Sequence, residues 1–163
     1  MNAPGRLVVI SPHLDDAVFA CGALLAAHPG ATVLSIFAGD PPADQPLTPW
    51  DRDCGFAPGD DVMAMRRAED AEALALLGAT PLWLDFLDAQ YGATPSVETL
   101  ASALRMSIAQ IAPDTLFIPL GLFHSDHVLT HRAALQALTG LRVVCYAYED
   151  ALYRTVDRRW TND

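Results

Sequence analysis

Two short segments concentrate side chains that can hold a metal ion and move a proton: Ser11-Pro12-His13-Leu14-Asp15-Asp16 and His124-Ser125-Asp126-His127. In the first, His13 and Asp16 stand three apart at the start of an expected helix, so both side chains can lie on one face. An imidazole nitrogen with a carboxylate oxygen is a common zinc donor set, and a third ligand from elsewhere leaves a position open for water. Asp15 points in a different direction from Asp16 and is free to take a proton from that water. Helix capping would account for one carboxylate. It does not account for two, with a histidine, at the end of an apolar strand. In the second segment His124 and His127 again stand three apart. One can complete the ligand set, while the other hydrogen-bonds the reacting group or shuttles a proton near neutral pH. Asp126 is placed to orient an imidazole through its second nitrogen. His131, one turn further on, reads as an ordinary helix residue.

The elements that must position these groups alternate between apolar runs and helical segments. Strands are expected at Leu7–Ile10, Thr32–Phe37, Leu82–Leu84, Thr115–Ile118 and Arg142–Tyr148. Helices are expected at Ala17–His28, Asp61–Gly78, Val97–Ile111 and from about Val128 to Leu138. The stretch from Gly39 to about Asp60 holds five prolines and three glycines and reads as an irregular functional loop. Repeated βα units predict an α/β fold: a Rossmann-like, doubly wound three-layer sandwich with a mainly parallel sheet. With strand order 3-2-1-4-5, the first and fourth strands are neighbours where the order reverses, and both polar segments face one crevice there. Nothing in residues 1–163 marks a linker, so a single domain is expected.

Composition excludes several classes. A net charge of −10 repels phosphate backbones and anionic lipid, so nucleic acid is not an expected partner. No apolar run approaches the ~20 residues that span a bilayer, and the N-terminus lacks the apolar core of a signal peptide. Cys21, Cys54 and Cys145 have no metal-like spacing and read as free thiols of a reducing compartment, so the expected location is cytoplasmic. A dinucleotide site is disfavoured because no G-x-G-x-x-G follows the first strand.

The pair SPHLDD and HSDH resembles the motifs of the LmbE/PIG-L family, zinc-dependent deacetylases of N-acetylglucosamine-type substrates. Arg66-Arg67-Ala68-Glu69 leading to Leu77-Gly78 resembles the family's Arg-x-x-Glu helix. Tyr148-Glu149-Asp150 with Tyr153 resembles its Tyr-Glu-Asp segment, so the likeness runs from residue 6 to about 153. Leu14 and Ser125 stand where relatives commonly carry proline, and relatives usually continue several dozen residues beyond the Tyr-Glu-Asp segment. The chain is therefore either a short member or one lacking a C-terminal portion.

The resemblance implies His13, Asp16 and His127 as ligands of Zn²⁺ or another divalent metal, Asp15 as general base, and His124 as stabiliser of the oxyanion. It implies a small N-acetylated amino sugar or glycoconjugate as partner and leaves a homo-oligomer open. Arg66 is a candidate for substrate contact or for a structural ion pair. Trp50 is a candidate for stacking on a sugar ring or for a packing anchor. Hydrolysis of another N-acyl or ester bond, and a non-catalytic binding role, are the competing readings.

Overall fold

A computed structural model describes residues 6–151; Tyr153 and the polar tail to Asp163 lie outside the described residues. The strands are β1 (Leu7–Ser11), β2 (Thr32–Ser35), β3 (Thr80–Trp83), β4 (Thr115–Pro119) and β5 (Val144–Tyr148). They form one parallel sheet in the order β3-β2-β1-β4-β5, the order expected from the sequence. The helices are α1 (Asp16–Ala27), α2 (Pro49–Asp53), α3 (Val62–Leu76), α4 (Val97–Ile111) and α5 (Ser125–Leu138).

β1 shows why the sequence folds this way. Successive strand side chains point to opposite faces, so Leu7 and Val9 join Val33 under Leu25 of α1 and Leu74 of α3. Val8 and Ile10 join Leu34, Leu116 and Ile118 under Leu100 and Leu104 of α4 and Ala133 of α5. Val8, Val9 and Ile10 are fully buried, each burial stabilising by roughly 1.5–3 kcal/mol. A strand covered on both faces must read as a continuous apolar run, and this one does.

Two expectations require correction. The Pro-rich loop is not wholly irregular: Pro49 occupies the first turn of α2, where its missing N–H costs nothing. Thr48 and Asp51 close that end with a capping box, the Thr48 hydroxyl accepting from Asp51 N–H and the Asp51 carboxylate from Thr48 N–H. Helix α5 begins at Ser125, three residues before the expected Val128, so Asp126 and His127 lie in its first turn and His124 is its N-cap. A short 3₁₀ turn, Ala89–Tyr91, was not foreseen.

Gly121 sets the path from β4 into this helix. Its φ is +75°, and a Cβ there would lie 2.7 Å from His131 Cβ and 3.0 Å from the His127 carbonyl oxygen. His131 also donates from Nδ1 to the Pro119 carbonyl at 2.9 Å, so it acts as a structural tie under the turn. Gly121→Ala is expected to destabilise the fold by roughly 2–4 kcal/mol, from left-handed strain plus overpacking, read as the shift of a urea unfolding midpoint.

Candidate metal centre

Strands β1 and β4 are hydrogen-bonded neighbours whose carboxyl ends open on one crevice. His13, Asp15 and Asp16 follow β1, and His124, Asp126 and His127 follow β4, so the sheet brings these six residues together. The centre is the Asp16 carboxylate, which is buried. Its Oδ2 receives His13 Nδ1 at 3.2 Å and His127 Nε2 at 3.1 Å. The second nitrogen of each imidazole meets another buried carboxylate: His13 Nε2 lies 3.1 Å from Asp126 Oδ2, and His127 Nδ1 lies 2.7 Å from Asp150 Oδ1. Asp150 also accepts from Leu122 N–H at 3.2 Å. Each ring is thus fixed in plane and orientation from behind while its front nitrogen faces one oxygen.

The two separations to Asp16 Oδ2 match the spacing of neighbouring ligand atoms on a metal ion. Bonds of 2.0–2.1 Å in a tetrahedron put neighbouring ligand atoms about 3.3 Å apart, close to the separations around Asp16 Oδ2. Two imidazoles backed by carboxylates are also the arrangement by which proteins orient metal-binding histidines. Among the described residues, two donor groups are compact enough to hold an ion, His13 with His124 and His127, and His13 with Asp88 and Asp126, each with ligand atoms within 4.8 Å of one another; Asp16 belongs to neither. Asp126 Oδ1 is buried with no hydrogen-bond partner.

The electrostatics follow from this crowding. Burial opposes charge on His13, but its hydrogen bonds to Asp126 and Asp16 outweigh that and push its pKa up to about 10. Burial also opposes charge on Asp16, yet the two imidazoles hold its carboxyl well below the usual range. His127 is raised in the same way, against its burial, by Asp150 and Asp16. His124 goes the other way: burial and the charge of His13 lower it, favouring the neutral ring. Its Nδ1 accepts from Asp126 N–H at 3.2 Å, which leaves Nε2 to carry the proton and donate.

Asp15 is set apart from His13, Asp16 and His127 by its backbone. It takes the N-cap position of α1 with φ +139°, and its side chain makes no capping hydrogen bond. Phe123, just before His124, has φ +62°. Two of the three described non-glycine residues with positive φ therefore lie within or directly beside the two motifs, where strain of roughly 1–3 kcal/mol each is held by the surrounding fold. Part of Asp15's surface reaches solvent, but protein flanks its carboxyl, and restricted solvation pushes its pKa up to about 7, with the Asp16 charge adding to the effect.

A cavity of about 370 Å³ opens on His13 and Asp15 and is lined by both Trp50 and Arg66. Arg66 is committed within the wall: Nη2 lies 3.1 Å from the buried Asp51 carboxylate, and the guanidinium stands 5.3 Å over the Phe56 ring. Trp50 is 60% exposed. Sequence reasoning assigned no role to Asp150, although it quoted the Tyr-Glu-Asp segment that contains it. The available signal was the place of that segment, at the carboxyl end of the strand beside β4. Asp150→Asn is expected to weaken metal binding by about 10–100-fold, measured by competition with a chromophoric chelator.

Comparison with known proteins gives the family. The PIG-L family, described as GlcNAc-PI de-N-acetylase, matches residues 8–138. The chain belongs to the PIG-L family. Among solved structures, it is 33% identical to the A40926 pseudoaglycone deacetylase Dbv21, with a TM-score of 0.78 over 93% of this chain and 66% of that one. It is 32% identical to a zinc-inhibited form of the teicoplanin deacetylase Orf2, with a TM-score of 0.79 over 91% and 68%. The PIG-L chain described here thus spans about two thirds of the length of these relatives. A 21% identical hydratase, GalB from Pseudomonas putida KT2440, shares the fold alone, with a TM-score of 0.62 over 87% and 65%. No curated protein matches the sequence. No described helix of this PIG-L member is long and apolar enough to cross a membrane.

Proposed function

We propose that residues 1–163 form one PIG-L catalytic domain that removes acetate from an N-acetylated amino sugar or its conjugate. The observation that carries this reading is the shared Asp16 carboxylate, met by two imidazoles that are each backed by a second buried carboxylate. His13, Asp16 and His127 would hold the metal, and their nitrogen and oxygen donors suit Zn²⁺. A divalent cation bound there supplies Lewis acidity to the amide oxygen and makes water at the site more acidic.

The chain's own groups do the rest. Asp15, a carboxylate beside the ligand set but outside it, takes a proton from water as the water oxygen attacks the acetamide carbonyl. His124 donates from Nε2 to the carbonyl oxygen as negative charge builds there. Asp126 fixes both rings, with its backbone N–H on His124 and its carboxylate on His13. The proton held by Asp15 then passes to the amide nitrogen, the C–N bond breaks, and acetate and a free amine leave. Trp50, which lines the cavity, would stack on a sugar ring. Arg66, tied to Asp51, shapes the wall without offering a free charge.

The test is acetate release from N-acetylglucosaminides by purified protein of known metal content. Roughly one divalent metal per chain with acetate release supports the reading. Full metal loading with no release from any N-acyl sugar would instead favour a binding protein.

A further inference from the structure

Resting on the reading of His13 as a metal ligand, we infer that Gln90 is a positioning residue for the metal centre. Its side-chain amide ties the short turn that holds Asp126 against His13 to the capped start of α2 in the Pro-rich loop.

The turn Ala89–Tyr91 touches both places. On one side the Ala89 N–H donates to Asp126 Oδ2 at 3.0 Å, the same oxygen that meets His13 Nε2 at 3.1 Å. Asp126 is 1% exposed, so its carboxylate depends on protein partners for its place. An imidazole held from behind by such a carboxylate binds metal more tightly than a loose one.

On the other side stands Gln90. Asp88 opens the turn by accepting from the Gln90 N–H at 3.0 Å through Oδ1, the local bond by which aspartate closes turns. The Gln90 amide then donates to Asp88 Oδ2 at 3.0 Å, and its carbonyl oxygen accepts from the Thr48 hydroxyl. Both ends of the amide are used, which fixes its orientation. Thr48 is the buried N-cap of α2, bonded in both directions to Asp51. Tyr91 makes a second tie to α2, but its hydroxyl reaches Asp51 at 3.4 Å and shares that oxygen with Arg66.

The oxygen that Gln90 occupies is the one that matters for His13. Asp88 Oδ2 lies 3.8 Å from His13 Nε2, while Asp126 Oδ2 lies 3.1 Å from it. With the amide in place, Asp88 is satisfied and the imidazole stays with Asp126. Without it, Asp88 competes for the same ring nitrogen, and the ring turns from the orientation that aims Nδ1 at Asp16. The Thr48 end of the link makes this restraint part of α2, the helix that carries Trp50 beside the cavity.

The experiment is Zn²⁺ affinity by competition with a chromophoric chelator, with a thermal melt of each metal-free protein. An outer partner of a ligating histidine is worth about 10–100-fold in metal affinity, and Gln90 acts one bond further out, so Gln90→Ala is expected to bind Zn²⁺ roughly 3–10-fold more weakly. Thr48→Val cuts the same link from the α2 side and should weaken binding to a similar degree. Thr48→Ser keeps the hydroxyl and should bind as the parent does. The double variant of Gln90→Ala with Thr48→Val should lose no more than the larger single loss; losses that multiply would mean two separate effects and overturn the shared link. Arg105→Ala, which removes a bond to the Thr139 carbonyl at the far end of α5, is the control and should lower the melting temperature with affinity unchanged. Unchanged affinity in Gln90→Ala, or an equal loss in Arg105→Ala, overturns the inference while His13 remains a ligand. A parent protein that binds no divalent metal would overturn the metal reading together with it.

Discussion

Asp15→Asn is expected to lower kcat by about 10²–10⁴-fold while leaving the metal content unchanged. Asparagine keeps the size of the side chain, tolerates positive φ better than most residues, and removes only the ability to take a proton. Asp15 makes no capping hydrogen bond, so the substitution breaks no structural contact of that kind. Because proton removal is a transition-state event, kcat and kcat/KM should fall together with KM nearly constant. The check is steady-state acetate release beside elemental analysis of the same preparation. Loss of metal on this substitution would place Asp15 among the ligands and end the division of roles between Asp15 and Asp16.

His127→Ala is expected to do the reverse, taking metal content from about one per chain to under a tenth and activity down by at least about 10³-fold. The ring is 1% exposed and stands between two buried carboxylates, Asp16 and Asp150. Its removal takes one partner from each, leaving Asp16 with His13 and Asp150 with the Leu122 N–H, a loss that approaches roughly 3–5 kcal/mol for a broken buried pair. A thermal melt therefore accompanies the assay, together with His127→Gln, whose amide can still donate to one carboxylate. A His127→Gln protein that melts close to the parent yet holds no metal would separate ligation from folding. Full metal retention in a folded variant would remove His127 from the ligand set.

Much of this architecture can be read from the chain. The β1 run Leu7–Ile10 is apolar because both faces are covered, and repeated βα units leave few orders for a parallel sheet. What was missed follows from how local the signals are. Helix α5 starts early because His124 caps it and Ser125, Asp126 and His127 form its first turn, and a polar first turn carries no apolar period. Helix α2 was hidden because Pro49 marks a break everywhere except in a first turn. The contacts of Asp126 with His13 and of Asp150 with His127 span 113 and 23 positions, and spacing along the chain does not encode such pairings. Nor does the letter at position 15 reveal its backbone, since only glycine would advertise that conformation.

The strained turn at Asp15 sets this molecule's chemistry against its durability. A glycine there would relax the φ of +139° and remove a carboxylate crowded against Asp16, so Asp15→Gly is expected to unfold at higher temperature than the parent while losing turnover. Selection for heat resistance alone would therefore be expected to discard this carboxylate first, and, on the function proposed above, a stabilised descendant that still released acetate would have gained its stability elsewhere.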